Sequence, residues 1–325
     1  MLGLARASLV LEPVAGDASS RRYYRARTDA NHFLLVDAPP ATEKNTEFVS
    51  VQALLANSGV RVPRIIAADI ASGHMLLEDL GDELLLPALR TDNVDSFYRS
   101  AFDVLLRFSR IGLEALPCYD EALLKEELGR FTQWFVTALL QHSLTAAERE
   151  MLDKLDALLI ASALAQPRVF VHRDFHSRNL MLTDGDLAVI DFQDAVAGPI
   201  TYDLVSLLRD CYVRWPAARV SEWALNYREL LLEQTGWSLP GEREFLHWFD
   251  LMGLQRHIKV LGTFARLYLR DGKQAYLQDL PLVIHYVQSV LAGNAAEHAV
   301  CAEVSEWFDA VLLPRIRQQD WSAAQ

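Results

Sequence analysis

The spacing of apolar and polar residues changes near residue 83, and the change divides the chain. Before it, SRRYYRAR and HFLLVDA are runs of β-favouring residues on either side of TDAN, a turn signal, and together they predict a hairpin. GDASS, a loop of small residues, stands at their head. In ATEKNTEFVSVQALLANSG, the residues Phe48, Val51, Leu54 and Leu55 recur at helical spacing, and Asn-Ser-Gly supplies a stop. HMLLEDLGDE then reads as an apolar strand running into an acidic connector. Further on, the periodicity predicts long amphipathic helices over roughly 92–110, 120–142 and 145–165, with more from 203 onward. The expected architecture is α+β: a small β-rich lobe with its connector over residues 1–82, and a large, mainly helical lobe over 83–325.

One stretch of the helical lobe breaks this pattern: VFVHRDFHSRNLML, soon followed by IDFQDA. Within NLMLTDGDLAVID, two apolar runs flank Asp184-Gly185, a strong short-range hairpin signal. Antiparallel pairing about that turn opposes residues whose numbers sum to about 370, which brings Asn179 and Asp191 together at the open end. Asp174 lies in the loop that feeds that end. Two carboxylates and an amide oxygen suit Mg²⁺, which takes one or two carboxylates together with substrate phosphates. A remaining carboxylate can accept the proton of an attacking hydroxyl. Taken singly, these residues admit plainer roles, with His172 and Asp174 capping a loop and Asp191 ending a strand. The full set, H-x-D-x-x-x-x-N, hairpin and D-F, points to phosphoryl transfer, which needs positioning, charge neutralisation and a base.

Composition narrows the class further. Over 325 residues, 51 % are apolar and 23 % charged, an ordinary globular balance with material for a sizeable core. The net charge of −12 argues against a nucleic-acid partner, which calls for a basic face. Three scattered cysteines fit a reducing compartment without a disulfide framework. No signal-peptide pattern stands at the N-terminus, and ALLIASALA is too short to span a bilayer, so a cytoplasmic protein without a membrane partner is expected.

HRDFHSRN followed by IDFQDA resembles the catalytic and metal-binding loops of the aminoglycoside phosphotransferase-like kinases, relatives of choline kinases and protein kinases. GDASSRRYYR is similar to that family's nucleotide-loop hairpin, LLEDLGD to its hinge, and GPITYDLVSLLRD to the segment after its metal-binding loop. A narrower resemblance is carried by GDASSRRYYR, DAPP, FVHRDFHSRNLM, DFQDAVAGPITYDLVSLLRD and LQRHIKVLGTFARLYLRDGK. It is to the anomeric N-acetylmuramate/N-acetylglucosamine kinases of bacterial cell-wall recycling. The resemblance implies a two-lobed, protein-kinase-like fold and an enzyme that uses ATP and Mg²⁺ to phosphorylate the C1 hydroxyl of an N-acetylated amino sugar. A monomer is expected.

By the same resemblance, Asp174 is the catalytic base, Asn179 and Asp191 hold Mg²⁺, and His172 and Asp203 are scaffold residues of the catalytic loop. Gly16, Ala18, Ser19 and Ser20, with Arg22, cover the phosphates, Glu47 is the helix glutamate, and backbone groups from Glu78 to Leu80 meet the adenine. His176, Arg178, Asp194, Arg209 and Arg256 are the candidate sugar contacts. Arg256 and Lys259, three apart, either meet a carboxylate of the sugar or lie on a solvated helix face.

The sequence departs from the family in one place. Such kinases usually carry a lysine on the third strand, paired to a glutamate on the next helix. HFLLVDAPP has none, and Lys44, beyond that strand, is the only lysine of the first 80 residues. Lys44, Arg21, Arg22 and Arg25 are the candidate replacements. The rival functions are an aminoglycoside kinase, a small-alcohol kinase of the choline or homoserine type, and a nucleotide-binding pseudokinase.

Overall fold

A computed structural model describes residues 10–14, 20–27, 32–183 and 185–323. Gly16, Ala18, Ser19, Asp184 and the turn TDAN lie outside the described residues. Strands β1 (Val10–Val14), β2 (Arg22–Arg27) and β3 (His32–Asp37) precede helix α1 (Asn45–Asn57), and β4 (Ile65–Asp69) and β5 (His74–Glu78) follow. Helices α2 (Leu85–Ala88), α3 (Val94–Phe108) and α4 (Glu121–Arg130) come next, then a π-helical segment (Phe131–Leu139) and α5 (Ala146–Leu164). Four short strands lie close together in sequence: β6 (Arg168–Val171), β7 (Leu180–Thr183), β8 (Asp186–Val189) and β9 (Val196–Pro199). The remainder is mostly helical: α6 (Tyr202–Leu208), α7 (Ala217–Thr235), α8 (Glu242–Asp271), α9 (Leu280–Asn294), α10 (Ala299–Trp307) and α11 (Leu313–Ile316).

Contacts group the chain into two compact units, each made of two separate segments. The first holds Met1–Glu114 and His172–Ala195. Its five-stranded antiparallel sheet has the order β1-β2-β3-β5-β4. The hairpin expected from SRRYYRAR and HFLLVDA is β2 with β3, in register from Arg22↔Asp37 to Arg27↔His32. Helix α1 buries Phe48, Val51 and Leu55, the spacing that predicted it. Arg25, on β2, reaches the acidic connector and pairs with Asp79 at 2.6 Å and Asp82 at 2.8 Å.

The second unit holds Ala115–Val171 and Val196–Gln325, with β6 paired antiparallel to β9. Its centre is α8, 30 residues and so about 45 Å long. From Leu251 to Leu261 every residue of α8 is buried, because α4, α5, α6 and α9 pack around it. Polar residues on such a helix need partners, and Lys259 has them: its Nζ lies 3.5 Å from Glu127 and donates to the Tyr202 hydroxyl at 3.1 Å. Helix α5 begins where its sequence says it should, at a capping box in which Thr145 and Glu148 satisfy each other's backbone N–H groups. No helix among the described residues is long and apolar enough to cross a membrane.

Gly262 marks a close helix approach. A Cβ there would stand 2.3 Å from the Arg130 carbonyl carbon, so backbone rather than a side-chain tip blocks it. Gly262→Ala is therefore expected to destabilise the protein by about 1–3 kcal/mol, as over-packing does. A urea unfolding midpoint unchanged by the substitution would contradict this tight crossing.

Candidate functional site

The hairpin β7–β8 closes with Thr183 opposite Asp186. Gly185 takes φ +89°, a backbone open to glycine at little cost. The paired numbers sum to 369, as in Leu180↔Val189, one less than the sequence suggests. Asn179 therefore faces Ile190, whose N–H donates to its carbonyl at 3.1 Å. Asp191 comes one residue later. On a continued strand that slip would turn its side chain to the opposite face. The chain instead leaves the strand there, with Asp191 at φ +63°.

The loop before the hairpin is held by its own backbone and by His172. The His172 Nε2–H donates to the Ile190 carbonyl at 2.9 Å, while Nδ1 accepts from the Asp174 N–H at 3.3 Å. The Asp174 carbonyl accepts from the His176 N–H at 3.0 Å and from Asn179 Nδ2 at 2.9 Å. With its nitrogen so engaged, the amide of Asn179 has its oxygen left for a ligand. Arg173 stands at φ +78°. Two non-glycine residues in the left-handed region thus adjoin or include the candidate carboxylates, a strain that persists only where the surroundings enforce it.

Three acids meet here. Burial, then the charges of Asp174 and Asp194, push Asp191 up to about 6 against the Gln193 hydrogen bond and Arg21. Burial alone would raise Asp194 too, but the Lys44 ammonium, 2.6 Å away, and Arg173 hold it below the usual carboxylate range. An all-oxygen donor set with crowded negative charge fits a small hard dication such as Mg²⁺. Asn179 Oδ1 and the Asp191 carboxylate are the groups that would hold it.

On the sheet side, Ser20 is tied to Glu43, its N–H donating to Oε1 at 2.9 Å. Arg22 is exposed and pairs with Asp37 at 2.6 Å. Glu47 lies on the exposed face of α1. The Glu78 carboxylate is gripped by Arg61 through two bonds of 2.8 Å, and its N–H donates to the Arg64 carbonyl at 2.9 Å. Leu80 takes part in no backbone hydrogen bond among the described residues, which leaves its amide group for a ligand. Sequence reading did not single out Glu43 or Gln193. Arg21, one of four open candidates, joins both: its Nε stands 3.1 Å from Glu43, and one terminal nitrogen donates to Gln193 Oε1 at 3.0 Å.

His176 and Asn179 are buried beside Asp174 in sequence, and Arg178 is half-buried. Asp203, Arg209 and Arg256 belong to the second unit. Asp203 is buried in the first turn of α6. Arg209 pairs with Asp250 at 2.5 Å and lines a cavity of about 480 Å³ with Arg214, Trp215, His285 and Tyr286. Arg256 is 2 % exposed and donates to Cys211 Sγ at 3.3 Å, and Lys259 is buried as well, so this face of α8 is not solvated.

The His172 ring gives a stability test. Burial pushes it down to about 4. The unfolded ring takes a proton near pH 6.5, whereas the folded ring refuses it until about pH 4. Its contribution to stability is therefore full above pH 6.5 and falls by up to roughly 3 kcal/mol as pH drops to 4. In His172→Gln, the urea midpoint should fall less steeply across that window. Equal slopes in the two proteins would mean that the folded ring is already protonated.

A family model described as "Phosphotransferase enzyme family" matches residues 10–245. The chain is 43 % identical over 296 residues to the N-acetylmuramate/N-acetylglucosamine kinase of Pseudomonas putida, covering 90 % of this chain and 87 % of that protein. It is 44 % identical over 284 residues to the protein of the same name from Pseudomonas aeruginosa, covering 87 % and 84 %. The solved structure of a Plasmodium vivax ethanolamine kinase superposes with a TM-score of 0.65 at 11 % identity, over 86 % of this chain and 82 % of that one, and shares its protein-kinase-like fold.

Proposed function

The chain belongs to the phosphotransferase enzyme family, and we propose that it is a cytoplasmic ATP- and Mg²⁺-dependent sugar kinase. Its acceptors are N-acetylmuramate and N-acetylglucosamine, its products the sugar 1-phosphates used in peptidoglycan recycling. The observation that carries the reading is the 43 % identity, across nine-tenths of the chain, to a relative bearing that name. The loop and hairpin that gather Asp174, Asn179 and Asp191 support it with chemistry.

Asp174 accepts the proton of the C1 hydroxyl as its oxygen bonds to the γ-phosphorus and the bond to the bridging oxygen of ADP breaks. An anomeric hydroxyl is more acidic than its ring neighbours, so an ordinary carboxylate suffices. Asn179 Oδ1 and the Asp191 carboxylate would hold Mg²⁺, which when bound neutralises phosphate charge. His172 keeps the loop in register with Ile190 and so keeps Asp174 and Asp191 at a fixed spacing. The Leu80 backbone is open to the adenine edge.

The test is phosphorus NMR after incubation with MgATP and a panel of N-acetylmuramate, N-acetylglucosamine, glucose, kanamycin, choline and homoserine. A sugar 1-phosphate from the two N-acetylated sugars is expected, with the rate cut about 10²–10⁴-fold in Asp174→Asn. Phosphate on kanamycin or an alcohol alone would keep the kinase and remove the sugar. Bound ATP with no transfer to any acceptor would make the protein a pseudokinase.

A further inference from the structure

The sequence offers four cations in place of the absent strand lysine, and the structure separates them. Arg22 is exposed and held by Asp37. Arg25 is engaged by Asp79 and Asp82. Lys44 is exposed and reaches Asp194. Arg21 is buried, at 4 % exposure.

Its setting is specific. The pairing Arg22↔Asp37 sets Arg21 next in line to Ala38, a fully buried small residue just past β3. The guanidinium lies 4.8 Å from the centre of the Phe48 ring, and that ring packs on Phe192 with centroids 4.9 Å apart. Arg21 Nε is 3.1 Å from Glu43 Oε2, and Arg21 donates at 3.0 Å to Gln193 Oε1. With that oxygen held by the arginine, the nitrogen of the same amide donates to Asp191 Oδ1 at 2.9 Å. The other Glu43 oxygen takes the Ser20 N–H at 2.9 Å and its hydroxyl at 2.5 Å. A line of contacts, an ion pair between Arg21 and Glu43 and hydrogen bonds on either side of it, therefore runs from Ser20 through Glu43, Arg21 and Gln193 to Asp191, wholly within the first unit.

We propose that Arg21, with Glu43 as its acid partner, replaces the strand lysine as a positioning residue: through Gln193 it fixes the Asp191 carboxylate where Mg²⁺ on the nucleotide meets it. The assignment rests on the metal-binding role given to Asp191 above. Guanidinium chemistry explains the change of residue. A planar fork engages Glu43 and Gln193 at once, whereas a lysine ammonium supplies charge without that fixed geometry.

The experiment measures nucleotide binding by fluorescence titration, with and without Mg²⁺, for the wild type, Gln193→Leu, Arg21→Lys and Arg21→Gln. Gln193→Leu should raise the Mg²⁺ concentration for half-maximal binding about 10- to 100-fold, the worth of a charged hydrogen bond, and leave metal-free ATP binding unchanged. Arg21→Lys should show a smaller shift than Arg21→Gln. Should Arg21→Gln fail to fold, Glu43 being left buried without its partner, the other two variants decide. Wild-type Mg²⁺ dependence in Gln193→Leu and Arg21→Lys would overturn the assignment and leave the kinase standing. A wild-type protein that binds no MgATP would remove the kinase reading and this assignment with it. Because the readout is nucleotide binding, an error in the acceptor sugar would leave the result intact.

Discussion

Mutual repulsion of Asp174, Asp191 and Asp194 is the constraint around which the first unit is arranged. Burial and the charges of Asp174 and Asp194 raise the cost of ionising Asp191, and burial and the charge of Asp174 act in the same sense on Asp194. Crowded negative charge needs positive charge nearby, and in a chain of net charge −12 such cations must be placed by the fold. Lys44 answers Asp194 across 150 positions of sequence. Arg21 answers Asp191 through a glutamine, 172 positions away. Both cations sit just outside regular elements, Arg21 ahead of β2 and Lys44 ahead of α1. The sheet and its helix thus serve as a frame that delivers charge to a loop they do not contain in sequence.

The same loop depends on neutrality as much as on charge. His172 is kept uncharged by burial and uses both ring nitrogens, one as donor and one as acceptor. A charged ring would lose the Nδ1 acceptor and put a cation into a buried place. Arg173 and Asp191 accept left-handed backbone on either side of this clamp, so the local geometry is held by hydrogen bonds rather than by intrinsic preference.

Local signals in the sequence were strong where structure is local. Asp-Gly between apolar runs located the β7–β8 hairpin, and the apolar spacing of Phe48, Val51 and Leu55 located α1. The register was read one residue long, because a two-residue turn and a longer one share that dipeptide. Charge partnerships were harder to read. Glu47 sits at helical spacing, yet it lies on the exposed face of α1, while Glu43, ahead of the helix, meets Arg21. Nothing in the neighbouring residues separates these two acids, since the choice depends on where β2 and α1 converge. The mixed polarity of LQRHIK suggested a solvated face for the same reason. Only the packing of α4, α5, α6 and α9 around α8 makes it interior.

The two units are threaded through each other along the chain, which crosses between them three times. At residues 171 and 196, beside the second and third crossings, β6 and β9 pair Val171 with Val196 within the second unit. During synthesis from the N-terminus, the first unit has its sheet by residue 114 but lacks the first of its three acids until residue 174 and the last until residue 194. The second unit is likewise incomplete until its later helices have been added. Vectorial folding therefore leaves the sheet waiting while residues 115–194 are made, and of the three boundaries it is the one at 171/172 that, when cut, leaves neither unit whole.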